Sequence, residues 1–381
     1  MNLLRRKIEE QIRAHGPIPF SHYMELCLYD PELGYYSRNA EQFGKAGDFY
    51  TSSDVHAVFG RLLARQFEEM WRALGSPASI ELVELGPGRG LSAQDVLSWS
   101  EKKFPSFFRA LHYVLAERSL ELGERMRGTL KRYLDSGKAE LTLVFPPAER
   151  SRTDVPTIIF ANEFFDALPI DIVCMRGSLR IDARDGHFIE SWLPSSPEEL
   201  EFLDRHAVHP ESDERIEVSL PAQRCMHRLA AGIERGFIIA IDYGYTREEQ
   251  LAGRHRGTLK TIRQHSVGAN PYEAPGEQDI TADVNFTALA AVAEKHGMQT
   301  HKLVTQSQFL MGIGEANQFA DAFEECRLSQ ERAKVALHLK HLVTPAGMGE
   351  SFHVLVASKG LEQATIESLS GLSFGRGMIA R

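Results

Sequence analysis

The sequence predicts an α/β fold: a mostly parallel sheet with helices on both faces. Three observations carry this. Short apolar runs recur at 80–85, 112–117 and 141–145, and again from Thr157, Phe237 and Phe352. Helix-period segments separate the first three runs. The first run meets a glycine turn, Gly86-Pro87-Gly88-Arg89-Gly90, which opens a helix (LSAQDVL). Buried apolar strands alternating with helices are the pattern of a parallel sheet covered on both sides.

Taken in chain order, the first 79 residues read as helical and loop-rich. Leu3, Leu4, Ile8 and Ile12 recur at helical spacing. Glu9 and Glu10 lie among them and no long apolar core follows, so this is a short amphipathic helix, not a signal peptide. GPIPF at 16–20 and YDPELGYY at 29–36 break the helices with Pro and Gly. A Gly-bearing loop, FGKAGDFYTSS at 43–53, precedes a helical pattern over 55–74, which Gly75 and Pro77 end. Past the fourth apolar run, residues 170–192 alternate apolar and polar, with turn signals at RGS and RDGH. They predict a small antiparallel meander. Residues 247–280 are polar and Gly/Pro-rich and predict a long loop over the sheet edge. A helix resumes over 285–296, with Asn285 as N-cap and Gly297 at its end.

Composition narrows the function. The chain has 381 residues, 43% of them hydrophobic, and a formal net charge of −9. A nucleic-acid binder usually carries a basic excess, so no nucleic-acid partner is expected. A cationic substrate suits the balance better. The four cysteines, Cys27, Cys174, Cys225 and Cys326, form no CxxC pair, which points to a reducing compartment with no zinc site. No apolar run reaches the roughly 18 residues of a membrane span. With no readable leader, a cytoplasmic location is expected and membrane insertion is not.

The glycine turn is the strongest local motif. Gly86, Gly88 and Gly90 let the backbone turn sharply and approach a ligand at the strand's C-terminal end. A dinucleotide site would read GxGxxG; here the pattern is GxGxG, with Leu91 in place of the third dinucleotide glycine and Glu84 two residues before the first. S-adenosylmethionine has no phosphate and carries a cationic sulfonium, which an acidic residue suits. Glu117 ends the next strand, where a carboxylate can accept from both ribose hydroxyls. A purely structural strand–helix turn is the plain alternative for the loop alone.

A second segment, ANEFFDALP at 161–169, follows the fourth strand, at the position that abuts the transferred methyl in this fold class. Asn162, Glu163 and Asp166 put one amide and two carboxylates on a polar turn. They could orient a guanidinium or ammonium by charge-assisted hydrogen bonds. A helix N-terminus also favours such residues, most of all at Asp166. Asp242 and Tyr243 in IDYGY form another polar strand end.

With these residues in view, the chain resembles the MidA-like family of methyltransferases, which includes a mitochondrial protein arginine methyltransferase of respiratory complex I assembly. The likeness runs nearly end to end. It includes GPIPFSHYMELCLYDPELGYYS, GDFYTSSDVHAVFG, ELGPGRG, ANEFFDALP, IDYG, GTLKTIRQH, PGEQDITADVNFTAL, TQSQFL and PAGMGESFHVL. The resemblance implies a Rossmann-like class I S-adenosylmethionine-dependent methyltransferase fold. It divides into an N-terminal helical region and cofactor lid at 1–79, a methyltransferase domain at 80–360 with insertions at about 170–230 and 247–280, and a tail at 361–381. It implies cofactor binding at Gly86, Gly88, Gly90 and Glu117, with Gly47, Asp48 and Thr51 closing over the same site; Glu84, the acidic residue of the loop, is expected to bind the cofactor as well. It implies catalytic roles for Glu163, Asp166 and Asn162, S-adenosylhomocysteine as product, a protein substrate such as a respiratory complex subunit, and no metal; a homodimer is compatible with it. The family usually has Pro and Glu where Ser53 and Arg61 stand here. Three rivals are weighed against this. A non-catalytic assembly factor would keep the fold; an intact glycine loop, Glu117 and NEFFDALP speak against it. A nicotinamide oxidoreductase would need the third dinucleotide glycine. A metal hydrolase has little support, since the histidine pair His338 and His341 has no acidic partner in register.

Overall fold

The computed structural model describes residues 2–37, 56–143, 155–263, 266–268 and 270–374. The chain forms two compact units, each gathered from separate stretches. The first comprises Met1–Phe49, Phe164–His227 and Tyr243–Val292; the second comprises Tyr50–Glu163, Arg228–Asp242 and Ala293–Arg381.

The second unit holds the large sheet. Its strands are β1 (Ile80–Leu85), β2 (Leu111–Ala116), β3 (Ala139–Thr142), β4 (Thr157–Asn162), β5 (Gly236–Tyr245), β6 (Gln299–Thr300), β7 (Val304–Thr305) and β8 (Phe352–Lys359). Their order across the sheet is β6-β8-β5-β4-β1-β2-β3, with β7 also pairing β8. β1 pairs β2 and β4 in parallel, β2 pairs β3 in parallel, and β5 pairs β4 in parallel. The short β6 and β7 run antiparallel to β8. All six residues of β1 are buried, so the strand reads as an unbroken apolar run apart from Glu81 and Glu84. From β1 the chain steps outward through β2 and β3, then returns to the other flank of β1 as β4. That reversal is a topological switch point, and in open α/β sheets ligands bind at the carboxyl ends of the strands there.

Helices pack on this sheet as their periodicity dictates. The helix Val58–Ala73 buries Phe59, Leu62, Leu63, Phe67 and Met70, and the Phe67 ring meets Phe160 of β4 edge-on at 5.4 Å. The helix Leu91–Lys103 begins directly after Gly90, whose φ is 74°. Gly90 has a second constraint. A Cβ there would sit 2.7 Å from the Met126 side chain and 3.1 Å from Leu130, both on the helix Leu120–Asp135.

The first unit contains the N-terminal helices and both inserted segments. In the helix Leu3–His15, Leu4, Ile8 and Ile12 are buried, whereas Leu3 points to solvent. The expected meander is present: Asp171–Cys174, Gly177–Arg184 and His187–Leu193 pair antiparallel in sequence. Asp185 and Gly186 turn its second hairpin with φ of 51° and 76°, the left-handed pair that a two-residue hairpin favours. Asn285 caps the next helix, its Oδ1 accepting the Ala288 N–H at 2.9 Å.

The expected loop over 247–280 is instead folded. It opens with a helix, Arg247–Leu251, started by a Thr246/Glu249 capping box. Strands Lys260–Arg263, Ser266–Gly268 and Asp279–Thr281 then form an antiparallel sheet. The buried Glu217 carboxylate fixes this segment, accepting the N–H groups of Thr258 at 2.6 Å and Leu259 at 3.1 Å.

Gly90→Ala tests the sheet–helix junction. Both the positive φ and the contact with Met126 oppose a methyl group, so unfolding free energy should fall by about 2–3 kcal/mol in a denaturant titration. A variant as stable as the parent would show that the turn relaxes freely.

Candidate functional site

The strand ends of the second unit bring several expected residues together. Gly86, Gly88 and Gly90 have φ of 60°, 54° and 74°, a left-handed run that side chains rarely adopt. The Gly86 N–H extends the ladder to the Ala116 carbonyl at 3.0 Å, and the Gly90 N–H closes the turn on Pro87 at 2.8 Å. Glu117 follows β2 directly. Its buried carboxylate accepts the Ser119 N–H at 2.8 Å, together with the N–H groups of Gly88 and Arg118. The glycine turn and its acidic partner are therefore one hydrogen-bonded assembly. Burial pushes the Glu117 carboxyl up to about 7 even though these three donors favour its charge.

Glu84 behaves differently from a loop residue. It sits within β1, buried, and accepts the Tyr113 hydroxyl at 2.8 Å. Burial pushes its carboxyl up to about 7 against that bond. Tyr113 was not singled out from the sequence. The available signal was a lone hydroxyl and a lone carboxylate in adjacent apolar strands, diagonal to each other in register.

At the end of β4, the Asn162 amide donates to Glu163 Oε1 at 3.1 Å. Asn162 Oδ1 is buried and has no hydrogen-bond partner among the described residues. Glu163 has a φ of 50°, uncommon for a residue with a long side chain, and its N–H is held by the Ile241 carbonyl at 2.9 Å. Asp242, within β5 just past its last residue paired with β4, is fully buried. The other expected residues lie elsewhere. Asp166 belongs to the first unit, where it is buried and its carbonyl accepts the Ala282 N–H at 3.1 Å. Tyr243 is also in the first unit, with the Lys260 ammonium 5.9 Å from its ring. Gly47, Asp48, Thr51 and Ser53 fall outside the described residues. Arg61 pairs with Glu325, and its guanidinium lies 4.5 Å from the Trp99 ring.

A family of S-adenosyl-L-methionine-dependent methyltransferases matches residues 62–304. The chain belongs to that family. Its relatives agree. The mitochondrial protein arginine methyltransferase NDUFAF7 homolog of Drosophila melanogaster is 30% identical, over 97% of this chain and 88% of that protein. The mitochondrial protein arginine methyltransferase NDUFAF7 of Danio rerio is 29% identical, over 97% and 92%. Among solved structures, a superfamily member from Burkholderia thailandensis bound to S-adenosyl-homocysteine superposes with a TM-score of 0.82 at 26% identity, covering 97% of this chain and 94% of that one. The methyltransferase is thus an enzyme that uses S-adenosylmethionine, on the α/β fold expected from its sequence.

The names of the relatives correct one expectation. They are mitochondrial proteins, so the cytoplasmic location inferred from a missing leader is withdrawn. Lack of a readable targeting segment was never positive evidence for a compartment. No helix among the described residues is long and apolar enough to cross a membrane.

The residues present fit the methyltransferase cofactor. A turn of three glycines allows close backbone approach, Glu117 offers a carboxylate of the kind that binds ribose hydroxyls, and Asn162 Oδ1 is a buried acceptor with no donor among the described residues. Unmet buried acceptors are costly, so a donor from a bound group would stabilise this one.

The pH dependence of cofactor binding follows. Glu117 gains its charge as pH rises through about 7, and the carboxylate accepts hydroxyl donors better than the acid does. Calorimetry with S-adenosylhomocysteine should show affinity rising from pH 6 to pH 8, about fivefold. Glu117→Gln should weaken binding and flatten the profile, whereas Glu84→Gln should keep the slope. Stability of the unliganded enzyme runs the other way. The raised pKa of Glu117 and Glu84 stabilises the fold at low pH, and that contribution is lost as pH climbs to about 7.

Proposed function

We propose that this methyltransferase modifies a guanidinium nitrogen of a protein arginine. The observation that carries the reading is the end of β4, where Asn162 and Glu163 form a polar pair with a buried, unmet oxygen and a left-handed backbone. Strained backbone of this kind costs about 1–3 kcal/mol and persists where the surroundings hold it, often at functional sites. Relatives named protein arginine methyltransferases support the acceptor class.

Bound S-adenosylmethionine supplies an electrophilic methyl group on a sulfonium. The protein's part is to bind and orient. Gly86, Gly88 and Gly90 would let the backbone approach the cofactor, and Glu117 would hold its ribose. Glu163 would take the guanidinium through two N–H bonds and turn one nitrogen toward the methyl, with Asn162 Oδ1 accepting a further donor. Charge drawn toward the Glu163 carboxylate leaves more electron density on the opposite nitrogen. A free guanidinium keeps its proton at neutral pH, so proton loss follows methyl transfer. Orientation alone can supply up to ~7–11 kcal/mol in favourable systems. A respiratory complex subunit is the first acceptor to test.

Glu163→Gln keeps size and hydrogen bonding but removes the charge. It should lower methyl transfer about 100-fold with S-adenosylhomocysteine affinity nearly unchanged. Mass spectrometry should show methyl-arginine lost from the proteome of cells carrying the variant. A collapse in cofactor affinity with normal turnover per bound cofactor would assign Glu163 to the cofactor instead.

A further inference from the structure

Within the first unit, one carboxyl group holds the 247–280 insertion. Glu217 lies in the strand Ile216–Val218, whose three residues are all buried. Its Oε1 accepts two successive main-chain N–H groups, from Thr258 at 2.6 Å and Leu259 at 3.1 Å, just before the strand Lys260–Arg263. Oε2 is buried as well and has no hydrogen-bond partner among the described residues. No cation among those residues pairs with this carboxyl; Arg256, two residues before Thr258, pairs with Glu214 at 2.6 Å. The neighbour joined to the clasp is itself an acid. The Asp283 N–H donates to the Thr258 hydroxyl at 3.1 Å, and the Asp283 charge bears on Glu217. His255 and Lys260 meet Asp283, at 2.9 and 3.0 Å. The buried Tyr245 phenol accepts from Gln250 at 3.3 Å, and its ring stacks on His255 at 5.3 Å. On the paired strand, the Asp171 carboxylate accepts the Ser21 N–H at 3.1 Å.

A carboxylate taken out of water needs a cation or a full set of donors. Glu217 has two donors on one oxygen, none on the other, and an acid for a neighbour. The neutral form therefore suits the closed segment, and the charged form suits exposure to water. We propose that Glu217 is a proton-operated clasp on the insertion: protonated, it holds the main chain at 258–259, and on losing its proton beside Asp283 it releases that chain to water. Burial pushes the Glu217 carboxyl up to about 7 against its N–H bonds, and the Asp283 charge adds to the rise. Opened to water, the group regains an ordinary carboxyl value. Between that value and about 7, opening sheds a proton and grows easier as pH climbs; higher still, both forms are charged and the dependence ends. The clasp joins the motifs GTLKTIRQH and PGEQDITADVNF, neither of which supplies a proposed residue of methyl transfer. It works whichever acceptor the enzyme uses.

Amide hydrogen exchange on the full-length protein measures this opening from pH 5 to pH 9. It is read on peptides spanning 256–260 and corrected for the intrinsic exchange rate, with peptides from β1 as the reference for global unfolding. Opening should grow about 40-fold between pH 5 and pH 7 and only about twofold more by pH 9. Glu217→Gln keeps an oxygen for both N–H groups and cannot ionise, so its opening should not vary with pH. Asp283→Asn removes the neighbouring charge and keeps the carboxyl, so opening should level off at a lower pH; this variant carries the test if Glu217→Gln does not fold. A flat wild-type profile overturns the proposal, as does a Glu217→Gln profile that follows wild type or an unmoved Asp283→Asn profile. Exchange at 256–260 that rises in step with β1 overturns it too, since the pH effect then belongs to the whole fold.

Discussion

Glu117 accepts the N–H groups of Gly88, Arg118 and Ser119, and these bonds tie the glycine turn after β1 to the end of β2. The turn could not make them with ordinary residues, because three of its five positions have positive φ. Once it is set, the helix Leu91–Lys103 starts at Gly90, and Gly90 packs flush against Met126. Backbone freedom at glycine, a carboxylate across the strand and close helix packing are thus one constraint.

The same edge concentrates electrostatic cost. Glu84 and Glu117 are both buried, and burial raises both carboxyls to about 7. A protein selected only for stability would replace such groups with apolar side chains of similar volume. Glu84 is held within the core by the Tyr113 hydroxyl, and Glu117 by the main chain that follows β2.

The large sheet was legible because its central strands are buried on both faces and read as continuous apolar runs. The glycine turn, Asn285 cap and Asp185-Gly186 hairpin were legible because each follows from one residue's local chemistry. The 247–280 segment was not. Its strands are short, KTIR and SVG among them, and carry too little alternation to register. What holds them is distant: pairing with Asp279–Thr281, and a carboxylate on Glu217 some forty residues earlier. At the site, the acidic positions could be picked out, but not their differing surroundings. Glu84 faces a phenol, Glu163 takes a left-handed backbone, and the Asp166 carbonyl is held by the Ala282 N–H of a distant segment. Those distinctions arise from long-range packing, which periodicity cannot encode.

The two units are interleaved along the chain, each drawing on three stretches. Emerging from the ribosome, the N-terminal helices must wait for residues 243–292 before their unit is complete. The sheet waits longer, since β8 ends at Lys359. Neither unit can finish during most of synthesis, and the edge of β5 that β8 covers stays open meanwhile. Loops of this length slow folding and expose the chain to misassembly. Dependence on chaperones during biosynthesis is the natural corollary, and truncation near either end should yield aggregates rather than a smaller working enzyme.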